Sequence, residues 1–245
     1  INTGLAVSSA KDNGGIYAIA QNMRAEVGGL RAVTNSLDLA VSTVDVALAA
    51  GDAISDLLIE MKEKALAASD VSLDSASRTA LDEDFKAMRD QISTIVENAE
   101  FNGTNLIDGS SSGGISALAN AKGTNTISVA DEDMSLSGTI LGLSSGTDIA
   151  TQTDAAAAVT AIDSALTNLN SALSRLGTGS KSLEIHKTFV SKLSDSLEKG
   201  IGNLVDADLA KESARLQSLQ VKQQLGIQAL SIANSSTSTL LGLFR

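Results

Sequence analysis

The chain has 245 residues, enough for one or two domains with a buried core. It holds no Pro, Cys or Trp, one Tyr and four Phe, so its core must rest on Ala, Leu, Ile and Val, and disulfides, thiolate metal sites and thiol nucleophiles are all excluded. A net charge of -11 opposes contact with phosphate backbones and anionic surfaces, so neither nucleic acid nor membrane insertion is expected.

Residues 1–9 are not a charged segment followed by an apolar one, so a cleaved secretory signal is unsupported. No apolar run approaches the roughly 18 residues of a membrane span. Because the chain starts at Ile1 rather than Met, an upstream piece is expected to be missing. Gly14-Gly15 after Asp12-Asn13 predicts a turn, with Asp12 or Asn13 capping the helix that follows. From Ile16 to about Ala68 apolar residues step by three and four (Ile19, Met23, Val27, Leu30, Leu37, Val41, Val44, Leu48, Ile54, Leu58, Met61), a coiled-coil-like stripe. Such a helix would reach roughly 80 Å and needs other rods beside it.

A second helix is predicted over 75–99, with Leu81, Phe85, Met88, Ile92 and Val96 on one face, ending at the turn signal Phe101-Asn102-Gly103. Between 102 and 153 Gly and Ser cluster. Alternating pieces such as 126–129 and 137–140 read as small strands of a hairpin-rich insertion. Helical period returns after Asp154 through Ile162, Leu169, Leu176, Leu183, Val190 and Leu197, with an interruption expected at Gly200-Ile201-Gly202. The predicted fold is mainly α: an elongated antiparallel bundle of long coiled-coil-like helices with a small β-hairpin insertion at the tip.

The last segment carries an apolar stripe of Leu209, Leu216, Leu219, Ile227, Leu230, Leu240 and Phe244, yet between 216 and 245 its only charges are Lys222 and Arg245. A solvated helix usually has a charged face. Burial inside an assembly suits such a segment, although a core helix of the single chain or a Ser-rich frayed tail would also account for it.

Catalytic and metal constellations are not found. His186, the one histidine, reads as an ordinary helix-surface residue. Asp131-Glu132-Asp133 starts like a calcium loop, but Leu136 takes the place of the required Gly and Gly142 that of the bidentate acid. Asp82-Glu83-Asp84 reads as a solvated face near a helix start. No phosphate-binding loop, nucleophile elbow or zinc-protease motif occurs, so no enzyme and no cofactor is expected.

Three separated motifs, in order, resemble bacterial flagellins. Ile1-Asn2-Thr3-Gly4 with Ser9-Ala10-Lys11-Asp12-Asn13-Gly14 is similar to the stretch linking the inner-tube helix to the outer-tube domain. Phe101-Asn102-Gly103-Thr104-Asn105-Leu106-Ile107-Asp108-Gly109 resembles the family's F-N-G-x-x-L-L-x-G turn. Residues 204–213, then Gln223-Gln224-Leu225-Gly226 and the ending Leu240-Leu241-Gly242-Leu243-Phe244-Arg245, look like its C-terminal half. Lys211-Glu212-Ser213 with the Leu-Phe-Arg ending leans towards alphaproteobacterial members.

The resemblance implies a structural subunit of the extracellular flagellar filament, passed through the flagellar type III export apparatus and assembling with other flagellin subunits into a helical homopolymer. It implies residues 1–15 as a linker, 16–101 as N-terminal outer-tube helices, 102–153 as a solvent-facing insertion, 154–202 as the C-terminal outer-tube helix and 203–245 as the C-terminal inner-tube helix, with the N-terminal inner-tube helix lacking. The unpaired C-terminal stripe would then be held by an export chaperone or by neighbouring subunits. Members sensed by the flagellin-specific Toll-like receptor carry a pattern close to Q-R-V-R-E-L-A-V-Q; Glu60, Lys62, Glu63 and Lys64 stand in that stretch here, with charge reversed at Glu60 and a lysine for a leucine at Lys64, which implies poor receptor activation. A hook–filament junction protein would share the terminal helices but usually carries a larger middle. A polysaccharide-binding surface protein on this scaffold would need more aromatic platforms than Tyr17 and four Phe provide.

Overall fold

A computed structural model describes the backbone of residues 4–243 and the side chains of residues 4–234. Along the chain come α1 (Gly14–Ala68), α2 (Ser75–Asn98), β1 (Glu100–Phe101), β2 (Thr104–Asn105), β3 (Ile115–Leu118), β4 (Thr126–Val129), α3 (Gln152–Val205) and α4 (Leu209–Leu243). The predicted helices and their order are as the periodicity implied. Residues fall into two compact units, one made of Gly28–Ser194 and the other of the segments on either side of it.

In the unit Gly28–Ser194 the apolar stripes are covered. Leu37, Val44, Ile54, Leu58 and Met61 of α1, Phe85, Ile92 and Val96 of α2, and Ile162, Leu169, Leu176 and Leu183 of α3 are all buried. Salt bridges set the direction: Asp38 of α1 pairs with Lys187 of α3, and Lys62 of α1 with Asp163 of α3, so moving forward along one helix moves backward along the other by the same number of residues. The two helices are therefore antiparallel. Gly51 lets them approach between these pairs, since a Cβ there would collide with the Leu173 side chain.

The turn from α1 to α2 is closed by polar groups at both helix ends. Asp74 accepts from the amides of Ala76 and Ser77 at 2.9 and 3.0 Å, capping α2. Arg78 reaches back and donates to the carbonyls of Ala68, Asp70 and Leu73 at 2.8, 2.9 and 3.3 Å, satisfying groups that a helix end leaves without partners.

The F-N-G motif forms the turn between β1 and β2, with Asn102 at φ 51° and Gly103 at φ 79°. Residues 126–129 form a strand as predicted and pair antiparallel with β3. Residues 137–140 do not. They form a turn in which Gly138 donates to the Ser135 carbonyl at 2.9 Å and the Asp133 side chain sits where a Cβ of residue 138 would be.

The insertion, expected at the tip, is laid along the helices, whose side chains satisfy its backbone. Leu118 N donates to Ser36 Oγ of α1 at 3.0 Å, Asn168 Nδ2 of α3 to the Ile140 carbonyl at 3.2 Å, and Arg89 Nη1 of α2 to the Thr147 carbonyl at 3.0 Å. Arg175 of α3 grips the buried Glu132 with two 2.6 Å bonds.

In the other unit Asn13, not Asp12, caps α1, accepting from Ile16 N at 3.2 Å. Asp12 turns back to accept from the amides and hydroxyls of Ser8 and Ser9. Val7, Ala20 and Val205 are buried, with Leu5, Ile16, Tyr17, Ile201 and Leu204 packed around them. Residues 4–7 pair with 205–207: Ala6 N and Val7 N donate to the Val205 carbonyl at 2.7 and 3.3 Å, and Ala207 N to the Gly4 carbonyl at 2.9 Å. The interruption expected at Gly200-Ile201-Gly202 is absent, because α3 runs on to Val205 and the break falls at residues 206–208. Gly200 serves packing instead, leaving room for the Met23 methyl, which would lie 2.7 Å from a Cβ there.

Candidate assembly interface

Helix α4 starts where Asp208 Oδ1 accepts from the amides of Ala210 and Lys211 at 3.1 Å each. From there the helix is uncovered: every residue over 213–234 is exposed. Leu216, Leu219, Ile227 and Leu230 are 43%, 55%, 63% and 73% accessible, and Leu209 is 54%. At about 100° per residue these five fall on one side of the helix. Leu240's side chain and Phe244 lie outside the described residues.

Sequence reading by steps of three and four missed a second set. Val221, Leu225 and Ile232 are also exposed, at 54%, 59% and 65%, and they fall on the side roughly opposite the first. A helical projection of the segment would have found them. A helix apolar on opposite sides is suited to lie between partners, whereas a one-sided helix lies on the surface of one.

The four residues in the receptor-patch stretch divide into two kinds. Lys62 is held by Asp163 of α3 and Lys64 by Asp84 of α2, so the cations lean sideways into the bundle. Glu60 and Glu63 are exposed and share the outward face of α1 with Asp52 and Asp56.

Three polar groups to which the sequence reading gave no part in the fold prove to hold it together. His186 Nε2 lies 2.7 Å from the Ala119 carbonyl, and its ring centroid is 5.8 Å from that of Phe189, so it ties the insertion to α3. Asp82 is buried and accepts from Ile149 N at 2.8 Å and Lys86 Nζ at 2.6 Å, fixing the approach to α3. Burial pushes its carboxyl up, but the Lys86 ammonium and the Ile149 amide outweigh that and hold it below the ordinary value. Glu132, the middle acid of the would-be calcium loop, faces Arg175, whose own value is raised chiefly by that pairing. Among the described residues no group of three or more His, Cys, Asp or Glu side chains is placed to hold a metal ion.

Comparison with known proteins decides what these surfaces belong to. Residues 1–112 match the bacterial flagellin N-terminal helical region and residues 159–244 the bacterial flagellin C-terminal helical region. The chain is 54% identical over 245 residues to flagellin FljM of Caulobacter vibrioides, covering 100% of this chain and 88% of that protein. The chain belongs to the bacterial flagellin family.

A flagellin of Brucella melitensis is 35% identical over 253 residues, with 89% of it covered. The fold is similar to a Bacillus cereus flagellin (TM-score 0.54, 22% identity, 63% of this chain and 88% of that one) and to a putative flagellar hook-associated protein of Vibrio parahaemolyticus (TM-score 0.66, 16% identity, 80% and 100%). These two likenesses concern the fold alone, and the Caulobacter and Brucella relatives support an alphaproteobacterial-like member. This flagellin is a structural subunit of the extracellular flagellar filament, not an enzyme, and it works by polymerising. No helix among the described residues is long and apolar enough to cross a membrane.

Proposed function

We propose that α4 is the element by which subunits hold one another, with Leu209, Leu216, Leu219, Ile227 and Leu230 against one neighbouring helix and Val221, Leu225 and Ile232 against another. The observation that carries this is a 35-residue helix whose described apolar side chains are exposed on two opposite sides, with Lys222 the one charge over 216–234. Burying an apolar side chain of this size is worth about 1.5–3 kcal/mol, so eight of them contribute roughly 12–24 kcal/mol towards holding the ordered helix in the assembly. On this reading 203–245 lines the inner tube, 16–101 and 154–202 build the outer tube, and 102–153 faces solvent.

Before assembly the same surface is the natural hold for an export chaperone, whose groove would take one apolar side. The outward face of α1 fits poor recognition by the flagellin-specific receptor, because Glu60 and Glu63 present negative charge while Lys62 and Lys64 are engaged within the bundle.

The test is the full-length protein with Leu216→Asp and Leu230→Asp together, scored by electron microscopy of filaments and by melting of the Gly28–Ser194 unit. Filament yield is expected to fall at least about a hundredfold with melting unchanged, since two buried charges without partners cost several kcal/mol. Normal filaments from this variant would remove α4 from the interface.

A further inference from the structure

The chain holds two Asn-Gly steps, Asn13-Gly14 and Asn102-Gly103, and the fold treats them in opposite ways. With no Cβ, a glycine leaves its backbone nitrogen the least hindered path onto the carboxamide of the residue before it. At the first step that path is blocked. Asn13 Oδ1 is occupied as the cap of α1, accepting from Ile16 N at 3.2 Å, and Gly14 is already the first residue of the helix, so side chain and backbone are both fixed.

At the second step both are free. Asn102 and Gly103 are the two residues of the β1–β2 turn, outside the pairs Phe101–Thr104 and Glu100–Asn105, and both are exposed. The Asn102 carboxamide makes no hydrogen bond among the described residues, and a Cβ on Gly103 would meet nothing within 4 Å, so the space a closing ring needs is open. The legs of the turn, by contrast, are held. Asn105 Nδ2 donates to the Val96 carbonyl at 2.6 Å, and Asn105 Oδ1 accepts from Ile107 N at 2.9 Å. The tip can therefore open without the rest of the hairpin.

We propose that Asn102 is a site of self-modification, where the chain deamidates itself through Gly103. The Gly103 backbone nitrogen gives up its proton to water and bonds to Asn102 Cγ; the bond from Cγ to the side-chain nitrogen breaks, and that nitrogen takes a proton and leaves as ammonia. Effective concentration of the two groups drives ring closure. Water then opens the cyclic imide, at Cγ to give aspartate or at the main-chain carbonyl to give isoaspartate. The sum is one water consumed and one ammonia released, with no oxidant or metal. Either product adds a carboxylate, taking the formal net charge from -11 to -12 at a turn where Glu100 is already exposed. Aspartate accepts the left-handed backbone of Asn102, at φ 51°, as asparagine does, so that product keeps the turn. Isoaspartate puts an extra atom into the main chain and shifts the Phe101–Thr104 pairing. The change is one-way, so its extent records the time since synthesis. It is independent of the filament-subunit reading.

The test is full-length protein incubated in mildly alkaline heavy-oxygen water, native and in urea, then digested for mass spectrometry with fragmentation that separates aspartate from isoaspartate. In the native protein Asn102 is expected to convert at least about fivefold faster than Asn13, which reacts only after its cap opens, and to yield both products carrying the heavy oxygen. In urea the two steps are expected to agree within about twofold, because the fold no longer distinguishes them. Asn102→Asp is expected to melt with the unmodified protein. Conversion of Asn13 as fast as Asn102 in the native state, or of Asn102 no faster than the buried Asn105, overturns the site. The native gap persisting in urea overturns the part given to the fold, aspartate without isoaspartate overturns the ring route, and early melting of Asn102→Asp overturns the fit of that product to the turn.

Discussion

Helices α3 and α4 are both long, both follow a leucine-rich period of three and four, and are separated by only three residues, yet one is a core element and the other has no core. On α3 the sides divide: Leu169, Leu176, Leu183 and Val190 are buried while Asp163, Lys187 and Lys192 occupy the rest of the surface. On α4 apolar residues stand on opposite sides, so a single neighbour could cover only half of them. The difference teaches that periodicity says a helix wants company, and the distribution around the axis says how many companions. It also separates two sources of stability, one inside the subunit and one available only between subunits.

Hydrogen exchange on the unassembled chain gives the widest expected contrast. Amides buried with Leu37, Leu58 and Leu176 are expected to open only with the whole unit, whereas those over 216–234 exchange at least about a thousandfold faster, as an uncovered helix permits. Equal protection in the two regions, with no partner present, would break the comparison. Phe85→Ala comes next. This fully buried ring is the largest side chain at the α2 face of the core, and its loss is expected to cost about 3–5 kcal/mol in thermal or denaturant unfolding, with no change in exchange of α4.

The smallest effect sharpens the same division through pH. Asp82 titrates below its ordinary value in the fold because its contacts with Lys86 and Ile149 outweigh burial. Its contribution is therefore complete above the unfolded value of about 3.9 and is lost as pH falls through the lower folded value. Asp82→Asn is expected to cost about 1–3 kcal/mol at neutral pH, with the gap from the unmodified protein closing below about pH 4 in pH-dependent melting. Exposed Asp12, Asp70 and Asp74 also titrate low, held first by the hydroxyls of Ser8, Ser72 and Ser77 respectively.

Much of this was legible in the residues. The stripe from Ile16 to Ala68 set α1, Phe101-Asn102-Gly103 set the β1–β2 turn, and the lack of charge after Leu216 marked α4 as awaiting a partner. The glycines of 200 and 202 misled, because a missing side chain signals either a break or a close approach, and the sequence does not carry Met23 across from α1. Asp82 and His186, read as surface residues, misled for a related reason, and Glu132 gave no sign of its partner. Each has its partner 43 to 67 residues away, at Ile149, Arg175 and Ala119, and local spacing cannot display such a pairing.

By itself the sequence determined which stretches are helical, where they turn and that one end is short of charge, since these depend on neighbours within a turn or two of the same helix. Tertiary structure alone decided which charges are engaged and that the insertion lies along the bundle. Those outcomes depend on how antiparallel helices set their register, which is fixed by contacts between residues far apart in the chain.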